Sequence, residues 1–304
     1  MSTGGPVTVV LNATAGTGCP PERAEALRGK FAALGLVANV ELVGNGADVL
    51  ATVQRAVAGG AATVVAGGGD GTVSAVASAL VGGKASLGVL PLGTLNHFAK
   101  DLGIPLEQDA AVANIATGRL LAVDVGDVNG RTFINNSSLG LYPDIVRDRE
   151  QLQRRLGHGK WRALLQASIN AARRYPVMTA CIELDGTTWE RRTPFVFIGN
   201  NEYTMEGFQI GERPSVSDGK LSLYVAQRTG RFGLLRLALL ALFKRLDQAR
   251  DFDVATAREF VVHTRHKRLR VATDGEVTVM ETPLHYRVRP GALRVIVPQQ
   301  EQGK

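Results

Sequence analysis

Thr63-Val64-Val65-Ala66-Gly67-Gly68-Gly69-Asp70-Gly71-Thr72 is the stretch on which the fold turns. Its first four residues are apolar and mostly β-branched, as in a short strand buried on both faces. Beyond it, Val73, Val76, Ala77 and Leu80 recur at i, i+3, i+4 and i+7, one face of a helix. The glycines therefore join a strand to a helix N-terminus. Backbone without side chains lets N–H groups approach a phosphate there, and the helix end adds partial positive charge. A tight turn without a ligand is the competing reading, and the polar pair Asp70 and Thr72 weighs against it. No further glycine follows at the dinucleotide spacing, and no Lys-Ser/Thr pair makes a Walker-type loop. Asp70 either contacts a nucleotide-bound magnesium ion or organises the loop.

The flanking sequence repeats the alternation. Val7 to Leu11 reads as a strand. Pro20 and Pro21 open a helix whose apolar positions Ala24, Leu27, Phe31 and Leu34 precede the stop at Gly35. Val37 to Val43 is a second strand, and Leu50, Val53 and Val57 mark a helix ended by Gly59-Gly60. Strands alternating with helical periods predict an α/β nucleotide-binding domain with a parallel sheet, covering residues 1–127.

After Asp127 the pattern changes. Asn129-Gly130 and Asp185-Gly186 lie between strand-like runs and read as hairpin turns. Phe195 to Ile198, Leu221 to Val225 and Arg268 to Thr273 are further strand candidates. A polar helix from roughly Ile145 to Arg174 interrupts them. Residues 128–304 are thus predicted to form a β-rich, antiparallel sandwich domain, whose C-terminal end either stays there or returns to the first domain. The leucine-rich run from Phe232 to Leu246 is a core helix of that domain or an interfacial helix. Asn135, Asn136, Ser137 and Ser138 either line a cleft or form a loop between strands.

Composition limits the classes of function. The chain of 304 residues is 45% hydrophobic and 21% charged, a globular balance rather than a disordered one. No stretch reaches the ~18 apolar residues of a membrane span, and the N-terminal residues lack a signal-peptide pattern, so a cytoplasmic protein is expected. Cys19 and Cys181 have no metal-type spacing and read as reduced thiols, and the five histidines suit no zinc site. The net charge of +7 favours anionic partners. Much of it lies between Arg147 and Arg162 without the aromatics of a nucleic-acid platform, so no nucleic-acid partner is expected. That stretch is a solvated face or a membrane-facing patch.

Further motifs follow in order: Pro91-Leu92-Gly93-Thr94-Leu95-Asn96-His97-Phe98-Ala99, Val123-Asp124-Val125-Gly126, Ser217-Asp218-Gly219-Lys220-Leu221 and Thr273-Asp274-Gly275-Glu276. With Gly68-Gly69-Asp70-Gly71-Thr72, the set resembles the diacylglycerol, sphingoid and related bacterial lipid kinases across nearly the whole chain. The glycine loop alone is shared with the NAD kinases, and Asn201-Glu202 superficially resembles their acidic ribose contact. The second loop and the late Asp-Gly-Glu argue for the lipid kinases.

The resemblance implies ATP and magnesium as cofactors and a membrane lipid hydroxyl as acceptor. Peripheral association with the inner membrane face is compatible with it, as is a homo-oligomer. Asn12, Gly68 to Thr72, Gly93, Thr94, Asn96 and Glu276 fall on the nucleotide-binding positions. Asp274 falls on the general base, needed because a lipid hydroxyl is a weak nucleophile. Asp218 falls on a structural magnesium ligand, with Ser215 and Ser217 where further acidic ligands are common. His97 stands where many members carry aspartate. Asp124 is either support for the base or a sheet-end residue. A non-catalytic nucleotide- or lipid-binding regulator is the alternative from another class.

Overall fold

Strand and helix alternate in the first part of the chain as the apolar periods require, and strands dominate the second. The computed structural model describes residues 6–13, 21–140, 177–203, 205–206, 209–210, 213–226 and 252–299. The chain divides into one unit of residues 1–125 with 289–304 and another of residues 126–288. The first contains β1 (Val7–Asn12), α1 (Pro21–Ala33), β2 (Ala38–Val43), α2 (Gly46–Ala58), β3 (Thr63–Gly68), α3 (Asp70–Leu80), β4 (Ser86–Pro91), α4 (His97–Asp101), α5 (Gln108–Thr117) and the start of β5 (Arg119–Val128). The second contains β6 (Arg131–Phe133), β7 (Asn136–Gly140), β8 (Met178–Leu184), β9 (Thr187–Thr193), β10 (Phe195–Asn200), β11 (Met205–Glu206), β12 (Gln209–Ile210), β13 (Leu221–Ala226), β14 (Phe252–Ala257), β15 (Glu259–Thr264), β16 (Arg268–Thr273), β17 (Glu276–Glu281) and the start of β18 (Leu284–Val297), whose end belongs to the first unit.

In the first unit β1 pairs in parallel with β2 on one side and β3 on the other, and β4 continues the sheet between β3 and β18. Val7, Val9 and Leu11 project to one face, where Ala24, Leu27 and Phe31 of α1 and Ala111, Val112 and Ile115 of α5 cover them. On α3, Val73, Val76, Ala77 and Leu80 are all buried, the stripe their spacing predicts. The face of α2 differs from expectation. Its buried residues are Val49, Thr52 and Val53, whereas Leu50 and Val57 are 46% and 42% exposed. Leu34 likewise lies past the end of α1, beside Gly35 at φ +75°, and is exposed.

The chain passes from β1 to β2 on one side and from α2 to β3 on the other, so the order of connection reverses beside β1. In open α/β sheets such a reversal leaves a crevice at the carboxyl ends of the strands. Asn12 ends β1, the glycine loop ends β3 and the Pro91–Asn96 segment follows β4.

The second unit has a six-stranded antiparallel sheet in the order β14-β13-β10-β7-β16-β17. In the other group β15 lies between β18 and β8, and β8 pairs with β9, all antiparallel. Alternate residues of both fill one core: Leu139, Val196, Ile198, Leu223 and Val271 from the first, and Ala180, Ile182, Phe260, Val262 and Leu284 from the second. Two hydrophobic faces meeting in this way make the sandwich. Asn129-Gly130, Asp185-Gly186 and Asp274-Gly275 all have positive φ at both positions, the mirror-image turn that matches strand twist.

The polar run after Asn135 is a strand rather than a loop, with Ser137 and Ser138 fully buried in β7. Ser137 meets the Tyr286 hydroxyl at 3.0 Å, so a serine in the core has a polar partner. The expected helices at Ile145–Arg174 and Phe232–Leu246, the basic residues between Arg147 and Arg162, and Cys19 lie outside the described residues. Among the described residues no helix is long and apolar enough to cross a membrane.

Tyr286 is stacked on Phe260 at 5.0 Å and edge-on to Phe133 at 6.4 Å. Burial pushes its phenol pKa far above the ordinary range, and the Ser137 bond only partly opposes this. Below pH about 10 both folded and unfolded states keep the proton; above it only the unfolded state ionises, so stability falls as pH rises. Urea midpoints measured from pH about 9 to 11 are expected to fall more steeply in the wild type than in Tyr286→Phe. Equal slopes would remove Tyr286 as the cause.

Candidate active site

The glycine loop is built by close approaches that exclude side chains. A Cβ on Gly68 would lie 2.5 Å from Thr72 Oγ1, and one on Gly67 would lie 2.8 Å from Leu11 Cδ1. Thr72 and Val73 donate their N–H groups to the Gly69 carbonyl at 2.9 and 3.1 Å, which starts α3 directly at the loop. Asn45 and Glu107 cap α2 and α5 with side-chain oxygens, but α3 starts at Gly69 without a side-chain cap. Its first turn therefore presents backbone donors rather than a capping oxygen.

The second loop meets the first backbone to backbone. A Cβ on Gly93 would stand 2.6 Å from Gly69 Cα and 2.9 Å from Asn96 Oδ1. Asn96, buried at φ +51°, accepts the Gly93 N–H at 3.1 Å and donates to the Gly93 carbonyl at 2.9 Å. Its own N–H donates to Asp70 Oδ2 at 3.0 Å. Asp70 thus organises both loops. Asn12 donates to Thr72 Oγ1 at 3.0 Å and ties the end of β1 to the same place. Asn12, Gly68 to Thr72, Gly93 and Asn96 are therefore one constellation, while Thr94 and His97 are exposed at its edge. Gly71 is also exposed, and a Cβ there would meet nothing within 4 Å.

In the second unit, Asp274 sits in the β16–β17 turn at φ +48°. Because β7 runs antiparallel beside β16, residues 134–136 pass the turn. Asp274 Oδ2 accepts the Ile134 N–H at 2.8 Å, and Oδ1 accepts those of Asn135 and Asn136 at 2.8 and 3.1 Å. Three backbone donors fix the carboxylate. Glu276 begins β17, and its carboxylate takes the Arg131 guanidinium at 2.6 Å while Arg131 Nε reaches Thr273 at 2.9 Å.

Asp218 lies in the exposed segment before β13, its N–H on Asn201 Oδ1 at 3.1 Å. Lys220 Nζ stands 3.7 Å from Asp218 and 3.1 Å from Glu202. The Glu202 hydrogen bond holds the lysine pKa above its ordinary value. An ammonium ion thus already lies between these two carboxylates, and no three metal-type side chains gather among the described residues. Among the described residues the Asp218 carboxylate is therefore paired with the Lys220 ammonium group. Glu202 is engaged with the same ammonium group. Asp124 accepts the Gly291 N–H at 2.9 Å, holding the bend inside β18.

The sequence reading omitted Arg213. It is buried, donating to the Ile134 carbonyl at 2.7 Å and to Asn135 Oδ1 at 3.2 Å, immediately behind the amides that hold Asp274. A lone arginine before a proline gives no motif, so only the fold shows its place.

Residues 6–128 match the diacylglycerol kinase catalytic domain, and residues 146–297 match the YegS C-terminal NAD kinase beta sandwich-like domain. A Pseudomonas aeruginosa protein named "Probable lipid kinase YegS-like" is 33% identical over 262 residues, 83% of this chain and 82% of the relative. The chain belongs to the YegS-like diacylglycerol kinase family. A Salmonella gallinarum relative, "Probable lipid kinase YegS", is 34% identical over 252 residues and spans 79% of each chain. A Bacillus anthracis structure described as a diacylglycerol kinase aligns over 96% of both chains with TM-score 0.69 at 21% identity, a likeness of fold. The two domain matches of this YegS-like chain follow its α/β and β-sandwich architecture.

Gly71→Ala and Gly93→Ala separate ligand approach from packing. Gly93→Ala forces a backbone contact and is expected to cost ~1–3 kcal/mol in denaturant unfolding. Gly71→Ala meets open space in the first turn of α3, so stability is expected to hold or rise by up to ~1 kcal/mol. ATP affinity is expected to fall at least about tenfold, ~1.4 kcal/mol, as measured by calorimetry. Unchanged ATP affinity in Gly71→Ala would place the phosphates elsewhere.

Proposed function

We infer that this YegS-like protein is a lipid kinase that transfers the γ-phosphoryl group of ATP to the hydroxyl of a membrane lipid, of diacylglycerol or related type. The observation that carries this reading is the junction of the two glycine loops at the carboxyl ends of β3 and β4, fixed by Asn96 and Asp70. An uncapped helix N-terminus beside bare backbone suits a polyphosphate. Magnesium enters with ATP as its chelate, part of the substrate. The relatives' names, which call them lipid kinases, support a lipid acceptor. Work on such an acceptor requires at least transient contact with a membrane face.

In this reading Asp274 is the general base. The lipid oxygen attacks the γ-phosphorus and its proton passes to the Asp274 carboxylate. The bond from the γ-phosphorus to the bridging oxygen breaks, and ADP leaves with that electron pair. The amides of Ile134, Asn135 and Asn136 support the assignment by fixing the carboxylate in advance, so little reorganisation is left for the transition state.

The test is transfer of radiolabelled γ-phosphate from magnesium-ATP, with mixed-micelle lipid extract in one set of reactions and NAD in another. Label in a lipid is the expected result. Label in NAD, or ADP formation in neither, would overturn the reading. Asp274→Asn puts an NH2 group against backbone donors, so its stability is expected to drop by ~1–3 kcal/mol. Its turnover per folded molecule is expected to fall by about 10²-fold or more. Wild-type turnover in the folded variant removes Asp274 from the reaction.

A further inference from the structure

We propose that Arg213 is a positioning residue for phosphoryl transfer, acting on Asp274 through the peptide group that joins Ile134 and Asn135; this rests on the reading of Asp274 as the base. Between Ile134 and Asn136 each peptide group has its N–H on the Asp274 carboxylate and its carbonyl on donors from the opposite side. The Ile134 carbonyl accepts from Arg213 at 2.7 Å and from Asn200 Nδ2 at 3.0 Å, and the N–H of the same peptide group, that of Asn135, donates to Asp274 at 2.8 Å. The Asn135 carbonyl accepts from Tyr203 Oη at 3.0 Å and from the Asn200 N–H at 2.9 Å. That group's N–H, of Asn136, donates to Asp274 at 3.1 Å. The Arg213 cation on one side and the Asp274 anion on the other align the Ile134–Asn135 peptide dipole, neutral donors hold the next one, and such chains of hydrogen bonds strengthen one another.

Arg213 is held with care for a residue with so large a desolvation cost. It is 4% exposed, its guanidinium lies 5.5 Å from the Tyr203 ring centroid, and it also donates to the Asn200 carbonyl at 3.3 Å. Removing a guanidinium from water is costly, and stability alone is served as well by apolar packing of similar volume. Its placement behind the only segment that donates to Asp274 in the described hydrogen bonds gives the charge a use. It also joins two motifs that are remote in sequence. Asn200 precedes Asn201, whose side chain receives the Asp218 N–H at 3.1 Å, so the Asp218 segment and the Asp274 turn are braced against one pair of asparagines.

The test uses the full chain as Arg213→Lys, Asp274→Asn and the double variant, with Arg213→Gln as a second probe should lysine fail to fold. Two readouts are taken: steady-state transfer to lipid, and amide hydrogen exchange over residues 134–136. Arg213→Lys is expected to lower kcat about tenfold or more with KM for ATP unchanged, because it loosens the base and leaves the glycine loops alone. Exchange at residues 134–136 is expected to quicken. Added to Asp274→Asn, it is expected to cause no further loss, since both act through one carboxylate. A folded Arg213 variant with wild-type kcat, unchanged exchange, or losses that multiply in the double variant would each overturn the proposal. Full activity of Asp274→Asn alone sinks the base assignment, whereas a crippled Asp274→Asn beside a fully active Arg213→Lys sinks only this inference. If no transfer occurs at all, unchanged exchange still rejects the Arg213 contact.

Discussion

Gly69 and Gly93 approach so closely that neither backbone leaves room for a Cβ on Gly93, and the candidate nucleotide site depends on that contact. It brings the ends of β3 and β4 together, and Asn96 locks it by bonding both polar groups of Gly93 while its own N–H holds Asp70. A buried asparagine at positive φ is tolerated because its short amide can satisfy the local backbone. The sheet topology supplies the rest: β1 lies between β2 and β3, so the loops open at the reversal of the strand order.

The second unit uses the same economy in a different geometry. Three Asx-Gly turns share one backbone conformation, but Asp274 alone reaches three successive amides in the described hydrogen bonds. The donors come from residues about 140 positions earlier in the chain, brought there by the β7–β16 pairing. Turn chemistry shapes the hairpin, and sheet register gives its aspartate a fixed orientation. The proposed function divides its roles along these lines, with glycines and a helix end for the polyphosphate and the fixed carboxylate for proton transfer.

The strand, glycine loop and helix around Asp70 were legible because local sequence specifies each of them, and the hairpins at Asn129 and Asp185 were legible because a mirror-image turn needs residues that accept positive φ. Local sequence says less about faces and partners. Leu50 and Val57 mark α2 correctly as a helix, yet the stripe that packs inward is Val49, Thr52 and Val53. Ser137 and Ser138 look like loop residues because polarity usually marks a surface, but β7 is a central strand and the Tyr286 hydroxyl offsets the burial of Ser137. Asp274-Gly275 looks like any Asx-Gly turn, and neither its amide donors nor Arg213 behind them is encoded nearby. The Asp218-Gly219 motif says nothing of the ion pair that places Lys220 Nζ 3.7 Å from the Asp218 carboxylate.

The central claim is that nucleotide phosphates lie against the two joined glycine loops. Hydrogen–deuterium exchange with and without a magnesium complex of a non-hydrolysable ATP analogue tests it most directly. The account predicts slower exchange over residues 66–73 and 92–97 when the analogue is bound. Binding that leaves both segments unchanged, with protection confined to residues of the second unit, would contradict it.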